Sequence, residues 1–251
     1  MAMSFDGSTN YLYTNTAFIG GSYSLYSSQP HTYCAWIKSS SFTTSHIMGE
    51  VHPGWPLITY MGIMSTGKLT FNFRSNANWP LGWYQTTTAL ATNTWGHAAY
   101  VVKENRSAND IAVYLNGGSM AAASYTYRQG PTPNRGSIGA YYNGGSKFNG
   151  LIAWPAMWNV ELSLSEIQSL AAGVHPTMIR PDNLRMFSPF GNLDPDTVVD
   201  TRTGRTFTQY GSATWSDDSP AGLIYPSQQI IGVSQGIVTP AVQHARLRIG
   251  V

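Results

Sequence analysis

The sequence predicts an all-β protein, built as an antiparallel β-sandwich that carries one short helix. Short runs rich in β-branched and aromatic residues recur between Gly-, Asn- and Pro-rich segments, which is typical of strands separated by tight turns. Several runs alternate apolar and polar residues, as in KLTFNFRS, where Leu69, Phe71 and Phe73 fall on one face. Many short strands and a single helix favour a sandwich or barrel.

Seven strand-like runs follow one another before the helix. They are residues 13–20, 32–39, 57–64, 68–75, 97–104, 111–118 and 136–143. Three residues, STG, separate the third run from the fourth, and so short a connection predicts a β-hairpin.

The predicted helix lies in ELSLSEIQSL and begins at a capping box. Ser163 and Glu166 have the S-x-x-E spacing in which each side chain bonds the backbone amide of the other residue. An apolar stripe follows, Gly173 is placed to end the helix, and Pro176 prevents its continuation. This assignment gives Glu166 a structural role and argues against a catalytic one.

We divide the chain into three parts. Residues 1–175 form the predicted sandwich, and residues 176–218 supply a closing strand and a hairpin to the same domain. Residues 219–251 are apolar in patches that Pro and Gly interrupt, so we expect a C-terminal extension there.

Composition excludes several classes of function. Charged residues make up 10% of the chain, against roughly 25% in ordinary proteins, and the net charge of +2 is not concentrated in a basic run. We therefore expect no nucleic-acid partner. No apolar run approaches the roughly 20 residues of a membrane span, so we expect no membrane partner either. The N-terminus lacks the features of a signal peptide, which predicts synthesis in a host cytoplasm. The single cysteine, Cys34, excludes an internal disulfide.

Five motifs occur in an order that resembles a known family. SFDGSTNYL gives an opening strand, HTYCAWIKS places Trp36 in an aromatic position, and NTWGHAAYVV holds His97. IAVYLNGG supplies a hairpin at Asn116 and Gly117, and FNGLIAWPAMWNVELSLSEIQSL supplies a glycine, a strand and the helix. Over residues 4–170 the chain is thus similar to the laminin-G-like, concanavalin A-like jelly roll. That fold hosts lectins, hydrolases, adhesion modules and virion parts.

One stretch departs from the usual order of this family. Residues 183–204 resemble a segment that normally precedes the opening strand, but here they follow the helix. We therefore expect a re-closed sandwich in which the strand around Leu184 to Phe187 fills the place beside the N-terminal strand. This arrangement, together with the sequence IRPDNL, also resembles proteins encoded by tailed phages.

A glycoside hydrolase of this fold needs two carboxylates that face the scissile bond, roughly 5 to 10 Å apart. The chain has four glutamates, Glu50, Glu104, Glu161 and Glu166, and none has an acidic partner two to four residues away on a strand. No G-x-S-x-G elbow is present, and nothing near His97 in the sequence would make it a base. We expect no catalytic residues and no enzyme.

We also expect no metal and no other cofactor. The resemblance implies calcium as the common ligand of the family, but Asn10 and Ala153 stand where the family often has aspartate. The weak candidates that are left are Asp194, Asp196 and Asp200. They lie in a Pro- and Gly-rich loop, which a solvated turn explains equally well. The six histidines show no zinc spacing.

Two loop-like segments, HPGWPL and NANWPLGWYQ, hold the best candidates for sugar binding. A glycan site needs exposed ring faces for sugar C–H groups and amides for the hydroxyls. The candidates are Trp55, Trp79, Trp83 and Tyr84 for stacking, with Asn76 and Asn78 for hydrogen bonding. The alternative is that the two Trp-Pro loops pack on each other as a small satellite cluster.

The last segment is too apolar for a typical disordered tail. Its candidates for assembly contacts are Ile224, Ile230, Ile231, Val233, Ile237 and Val238. An exposed apolar extension usually marks an interaction surface, so we predict that part of it docks onto a neighbouring subunit. The alternative is that it folds back on its own sandwich.

These observations predict a non-catalytic structural or interaction protein on the surface of a tailed-phage virion, such as a capsid decoration, head fibre or tail-associated component. Its partners would be other virion proteins and copies of itself, with a cell-surface glycan as a further partner. The alternative is a carbohydrate-binding lectin module that is not part of a virion. A glycoside hydrolase is the third hypothesis.

Overall fold

The structure, a computed structural model, places sixteen strands and one α-helix in the part of the chain that it describes. Described are residues 1–18, 30–52, 57–74, 84–103, 111–123, 133–190 and 198–225. The strands are β1 (Ala2–Asp6), β2 (Tyr11–Thr14), β3 (His31–Ser39), β4 (Ser45–His52), β5 (Leu57–Ile63), β6 (Lys68–Arg74), β7 (Tyr84–Ala89), β8 (Gly96–Val102), β9 (Ile111–Leu115), β10 (Gly118–Ala123), β11 (Arg135–Ile138), β12 (Asn149–Trp158), β13 (Leu184–Phe187), β14 (Val198–Asp200), β15 (Arg205–Tyr210) and β16 (Thr214–Ser216). The helix α1 spans Leu164–Ala171, and two short 3-10 helices span Pro176–Met178 and Pro181–Asn183.

The strands form two antiparallel sheets of eight, as the prediction of an antiparallel sandwich requires. Sheet A has the order β10-β9-β8-β3-β12-β1-β16, and β13 pairs with β12 beyond the end of β1. Sheet B has the order β14-β15-β2-β11-β4-β5-β6-β7. The predicted hairpin at STG is confirmed, because β5 and β6 pair from Ile58 with Arg74 to Ile63 with Leu69.

Several strand bounds differ from those that the sequence predicts. The run 13–20 begins within β2, which spans Tyr11–Thr14, and its further described residues, 15–18, are not in a strand. The run 136–143 ends early, since Gly139 has a φ of +81° and turns the chain out of β11. The prediction missed β4, because a glycine, a glutamate and two histidines interrupt its apolar pattern.

The helix begins at the predicted capping box. The Glu166 amide donates to the Ser163 hydroxyl at 3.3 Å, and the Ser163 amide donates to Glu166 Oε2 at 2.7 Å. The Glu166 carboxylate also pairs with Arg180, whose Nε lies 2.6 Å from Oε1. Although partial burial raises the pKa of Glu166, the bonds from Arg180 and Ser163 outweigh it and lower that pKa.

The strand that follows the helix, β13, joins the sandwich by pairing with β12. In β13, Phe187 pairs with Ala156 and Met186 with Met157 of β12, so the strand joins the main sandwich but not at the predicted place beside the N-terminal strand. The strand continues the line of β1 along the same edge of β12. The lateral neighbour of β1 is β16, where Trp215 pairs with Met3.

Two apolar clusters lie on either side of sheet A. The first fills the space between the sheets and includes Phe5, Phe18, Phe71 and Phe148, all at most 1% exposed. The second lies on the outward side of sheet A and is covered by α1 and the segment that follows it. It contains Cys34, Ala99, Val101, Ala112, Tyr114, Trp154, Ala156, Trp158, Leu162, Ile167, Leu170, Leu184 and Phe187. We call this side the covered face.

Two tryptophans anchor the covered face. Trp158 is 0% exposed, and its indole Nε1 donates to the Ile179 carbonyl at 2.8 Å. Trp154 has a φ of +49° where β12 bulges, and its ring meets His175 edge-on at 4.7 Å. Among the described residues, no helix is long and apolar enough to cross a membrane.

Candidate functional site

The outward side of sheet B carries several tyrosines. Residues alternate between the two sides of a strand. In β2, Leu12 belongs to the core between the sheets, so Tyr11 and Tyr13 point outward. In β15, Phe207 belongs to the same core, so Tyr210 points outward.

Three of these tyrosines form one cluster, because β15 pairs with β2. Tyr210 is the pairing partner of Tyr11, and their rings stack with centroids 4.7 Å apart and planes 5° apart. The ring of Tyr13 meets that of Tyr210 edge-on at 6.2 Å. Tyr210 is 45% exposed, and Tyr11 and Tyr13 are half-buried.

Arg135 extends the cluster across β11. Its guanidinium carbon lies 5.8 Å from the ring centroid of Tyr13 and 5.7 Å from that of Tyr142. Both distances are within the roughly 6 Å of a cation–π interaction. Tyr142 also contacts Tyr141, whose ring centroid lies 4.6 Å away.

The loop after β11 folds back over the sheet and brings these two tyrosines into place. A tight turn joins the Gly144 amide to the Tyr141 carbonyl at 2.7 Å. The His46 amide of β4 donates to the Ser146 carbonyl at 2.8 Å, which ties the loop to the sheet. Gly144 lies against the Tyr11 ring, where an added Cβ would come within 3.2 Å of a ring carbon.

The aromatic residues on the outward side of sheet B continue to His46 on β4 and Tyr60 on β5. Their rings stack at 4.2 Å, and His46 also contacts Tyr141 at 5.5 Å. Gly49, between them, leaves the space for both rings, because a Cβ there would lie 2.6 Å from Tyr60 Cβ and 2.9 Å from His46 Nε2. Burial lowers the pKa of His46 to about 3, so the imidazole is neutral at physiological pH.

We call this surface the tyrosine face. It consists of Tyr11, Tyr13, Tyr60, His46, Arg135, Tyr141, Tyr142 and Tyr210. Burial, with the neighbouring Tyr210 and Tyr13, raises the pKa of Tyr11, which keeps its phenol protonated and able to donate.

An open groove adjoins the Tyr13 end of the tyrosine face. Its volume is about 570 Å³, and its described lining is Asn15, Thr16, Ala17, Pro133, Asn134, Thr203 and Arg205. The Tyr13 hydroxyl is hydrogen-bonded to Asn15 Oδ1, which links the groove to the aromatic row. Ring faces beside amide and hydroxyl groups are the combination that holds a sugar, whose C–H groups stack while its hydroxyls are hydrogen-bonded.

Of the six sugar-binding residues that the sequence predicted, the structure describes only Tyr84. Trp55, Trp79, Trp83, Asn76 and Asn78 lie outside the described residues. Tyr84 is described, and it packs against the core between the sheets instead of joining an exposed platform. Tyr84 pairs with Phe71 and is half-buried, and its role in sugar binding stays a prediction.

The carboxylates that were candidates for metal binding have structural roles where they are described. Asp200 is 0% exposed and accepts from the Phe187 and Arg202 amides, both at 3.0 Å, and from the Thr203 hydroxyl at 2.6 Å. Asp194 and Asp196 lie outside the described residues. Within the described ranges, no group of three His, Cys, Asp or Glu side chains could hold a metal ion.

Asn10, which stands where the family often has an aspartate, takes part in a local turn with Asp6. Asp6 Oδ1 accepts from the Ser8 and Thr9 amides, each at 2.8 Å, and Asn10 Oδ1 accepts from the Asp6 amide at 2.9 Å. Although slight burial raises the pKa of Asp6, these bonds outweigh it and hold that pKa far below its usual value.

The predicted assembly segment is described only at its start. The Ile224 side chain is 49% exposed, but its backbone forms a parallel bridge with Val174 and bonds Gly173 and His175. Tyr225 meets Trp154 edge-on at 5.2 Å. The chain thus folds back on its own sandwich as far as Tyr225. Ile230, Ile231, Val233, Ile237 and Val238 lie outside the described residues.

A polar cluster inside the sandwich contains the one buried glutamate among the described residues. The Tyr33 hydroxyl is hydrogen-bonded to Glu50 Oε2, and the Tyr100 hydroxyl lies 2.6 Å from Thr59 Oγ1. Glu50 is 1% exposed, and burial raises the pKa of Tyr33 well above its usual value. This cluster joins the two sheets and lies out of reach of a polymer substrate.

The sequence contained a signal for the tyrosine face that the prediction passed over. In YLYT the tyrosines occupy alternate positions around Leu12, which places them on the side of the strand opposite the core. In TFTQY, Tyr210 likewise lies an odd number of residues from the core residue Phe207, so it is on the opposite side of the strand. Only the pairing of β15 with β2, from opposite ends of the chain, shows that these tyrosines meet.

Comparison with known proteins agrees with the fold. A laminin-G profile described as the concanavalin A-like lectin/glucanases superfamily matches residues 6–168. A search of curated protein sequences finds no significant match.

Solved structures share the fold at low identity. A suspected carbohydrate-binding protein of Bacteroides ovatus has a TM-score of 0.64 and 19% identity over 88% of this chain. The chain spans 61% of the length of that protein. The CBM40 module of the IT-sialidase of Ruminococcus gnavus, bound to α2,3-sialyllactose, has a TM-score of 0.52 and 14% identity over 68% of this chain and 96% of the module. A heptameric SAP-like pentraxin of Limulus polyphemus has a TM-score of 0.50 and 18% identity over 68% of this chain and 81% of its own.

Proposed function

Because this chain belongs to the concanavalin A-like lectin/glucanases superfamily, we propose that it is a non-catalytic carbohydrate-binding module whose tyrosine face holds the glycan. The observation that carries the proposal is the row of half-buried and exposed rings of Tyr11, Tyr13, Tyr142 and Tyr210, joined through Arg135, beside a polar groove. The described helices all lie on the sheet A side of the sandwich, which leaves this row at the surface.

Two further observations support the proposal. The Bacteroides ovatus protein and the Ruminococcus gnavus module share the fold and are both named for carbohydrate binding. Three described carboxylates have structural surroundings instead of catalytic ones. Glu50 and Asp200 are buried, and Glu166 caps a helix. These contacts favour binding over hydrolysis.

A glycan array with tyrosine variants tests the proposal. The double variant Tyr11→Ala with Tyr210→Ala removes the stacked pair, and we expect the affinity for the retained glycans to fall about 30-fold, from roughly 1 kcal/mol for each ring. The matched control is Tyr225→Ala, because Tyr225 is 57% exposed but lies over Trp154 on the covered face. We expect it to bind as the unchanged protein does.

The same array separates the tyrosine face from the tryptophan loops. The triple variant Trp55→Ala, Trp79→Ala and Trp83→Ala tests the earlier candidates, which stay a prediction. If this variant loses binding and the double tyrosine variant keeps it, the glycan site lies in the loops and the proposal for the tyrosine face is refuted.

The virion-surface role, with its virion partners and location, also stays a prediction. Neither the family match nor the structural neighbours bear on it. Mass spectrometry of purified phage particles tests it, since a decoration or fibre protein would be present at high copy number. The third hypothesis, a glycoside hydrolase, predicts product release from polysaccharides, which the proposed binding module would not cause.

A further inference from the structure

Arg135 lies against two tyrosine rings, and its charge has no counter-ion among the described residues. None of the ion pairs that these residues form includes it. The side chain is half-buried, and the rings of Tyr13 and Tyr142 lie at 5.8 and 5.7 Å from the guanidinium carbon. These contacts orient a planar group whose paired N–H donors match the two oxygens of a carboxylate.

None of the described acidic residues forms an ion pair with Arg135. Glu50 and Asp200 are buried, and Asp200 lies 3.5 Å from Arg205. The others are in sheet A or in the segments that flank its strands and helix: Asp6, Glu161, Glu166, Asp182, Asp217 and Asp218. An anion at the tyrosine face would therefore meet Arg135 without displacing a described carboxylate from it.

The adjoining groove offers the remaining contacts of a sugar. Asn15, Asn134, Thr16 and Thr203 are all exposed and present amide and hydroxyl groups. The described lining contains Arg205 and no acidic residue. Its volume of about 570 Å³ is within the range of roughly 300 to 1,000 Å³ that is common for ligand sites.

We infer that the tyrosine face selects an acidic sugar, whose carboxylate pairs with Arg135 while the flanking rings stack on the sugar and the groove holds its hydroxyls. This inference rests on the proposed carbohydrate binding and deepens it. A uronic acid and a nine-carbon sialic acid supply the same carboxylate, and the test distinguishes them.

The experiment uses an array on which each acidic glycan is printed both as the free acid and as its carboxyl methyl ester. One arm holds uronates such as trigalacturonate, and the other holds sialosides such as α2,3-sialyllactose. In at least one arm, we expect the full-length chain to bind the free acid about tenfold more strongly than the methyl ester. The salt concentration is about 50 mM, because an exposed ion pair is weakly screened there. The arm that responds identifies the source of the carboxylate.

Arg135 variants test the residue. Arg135→Gln should reduce the preference for the acid over the ester to less than about twofold, and Arg135→Lys should keep part of it, since lysine retains the charge but not the paired donors. The control is Lys103→Gln, which removes one positive charge after β8 in sheet A and should leave the preference unchanged. Circular dichroism and thermal unfolding show whether each variant is folded.

The outcomes separate the two proposals. Equal binding of acid and ester, retention of neutral glycans alone, or an Arg135→Gln variant that keeps its preference would overturn the inference and leave carbohydrate binding standing. If the chain retains no glycan of any kind, both proposals are refuted.

Discussion

The two outward faces of this sandwich follow the same alternation along their strands, yet they differ in what lies over them. On sheet A, small residues such as Cys34, Ala99 and Ala156 let α1 and the following segment approach closely, and a second apolar cluster results. On sheet B, tyrosines occupy the corresponding outward positions, and Tyr210 remains 45% exposed. The comparison teaches that the covered face contributes stability, whereas the tyrosine face, apart from the buried His46 and Tyr60, presents rings that remain half-buried or exposed.

The largest expected effect is on the covered face. Trp158→Ala should lower the free energy of unfolding by about 3 to 5 kcal/mol, because it leaves a cavity and removes the bond to the Ile179 carbonyl. Urea unfolding measures the loss. The folded fraction should bind glycans as the unchanged protein does. A loss below about 1 kcal/mol would show that this face is not a packed core.

Acid extends the comparison, because both faces bury histidines: His46 on the tyrosine face, and His97 and His175 on the covered face. Burial lowers the pKa of both His46 and His97 to about 3, against 6.5 in an unfolded chain. The unfolded chain therefore binds protons first, so stability is complete above about pH 6.5 and falls as the pH drops toward 3, by roughly 1.4 kcal/mol for each pH unit and each histidine. Urea unfolding at several pH values between 7.5 and 5 isolates this effect from the carboxylates, which titrate lower.

Replacing the histidines singly assigns the slope to each face. His46→Gln and His97→Gln should each remove a comparable part of the pH dependence in that window, and the lowered pKa of His175 accounts for a further part. A slope that both variants leave unchanged would show that neither imidazole is kept neutral by burial.

The smallest expected change in stability is on the tyrosine face. Tyr210→Ala should alter the free energy of unfolding by no more than about 0.5 to 1 kcal/mol, because the ring is 45% exposed and stacks only on its neighbours. Thermal unfolding measures this beside Trp158→Ala. A loss as large as that of Trp158→Ala would mean that the tyrosines serve packing, and the comparison between the faces would fail.

Local patterns predicted the framework of this fold, and pairing between distant segments produced the site. Short apolar runs located β3 and β9, alternation located β6, and the S-x-x-E spacing located the start of α1, because each signal lies within a few residues. The tyrosine face depends on β2, β11 and β15, which come from the start, middle and end of the described chain. The register of such pairs is decided by the whole sandwich. The sequence could therefore predict that the tyrosines point outward, but not that they contact one another.

The most direct test of the central claim is a nuclear magnetic resonance titration of the unchanged protein with the glycan that it retains most strongly. The account predicts that the ring signals of Tyr11, Tyr13 and Tyr210 shift on binding, while the indole N–H of Trp158, bonded to Ile179 under the helix, stays in place. Shifts at Trp158, or at the indoles of Trp55, Trp79 and Trp83 with the tyrosines unmoved, would contradict it.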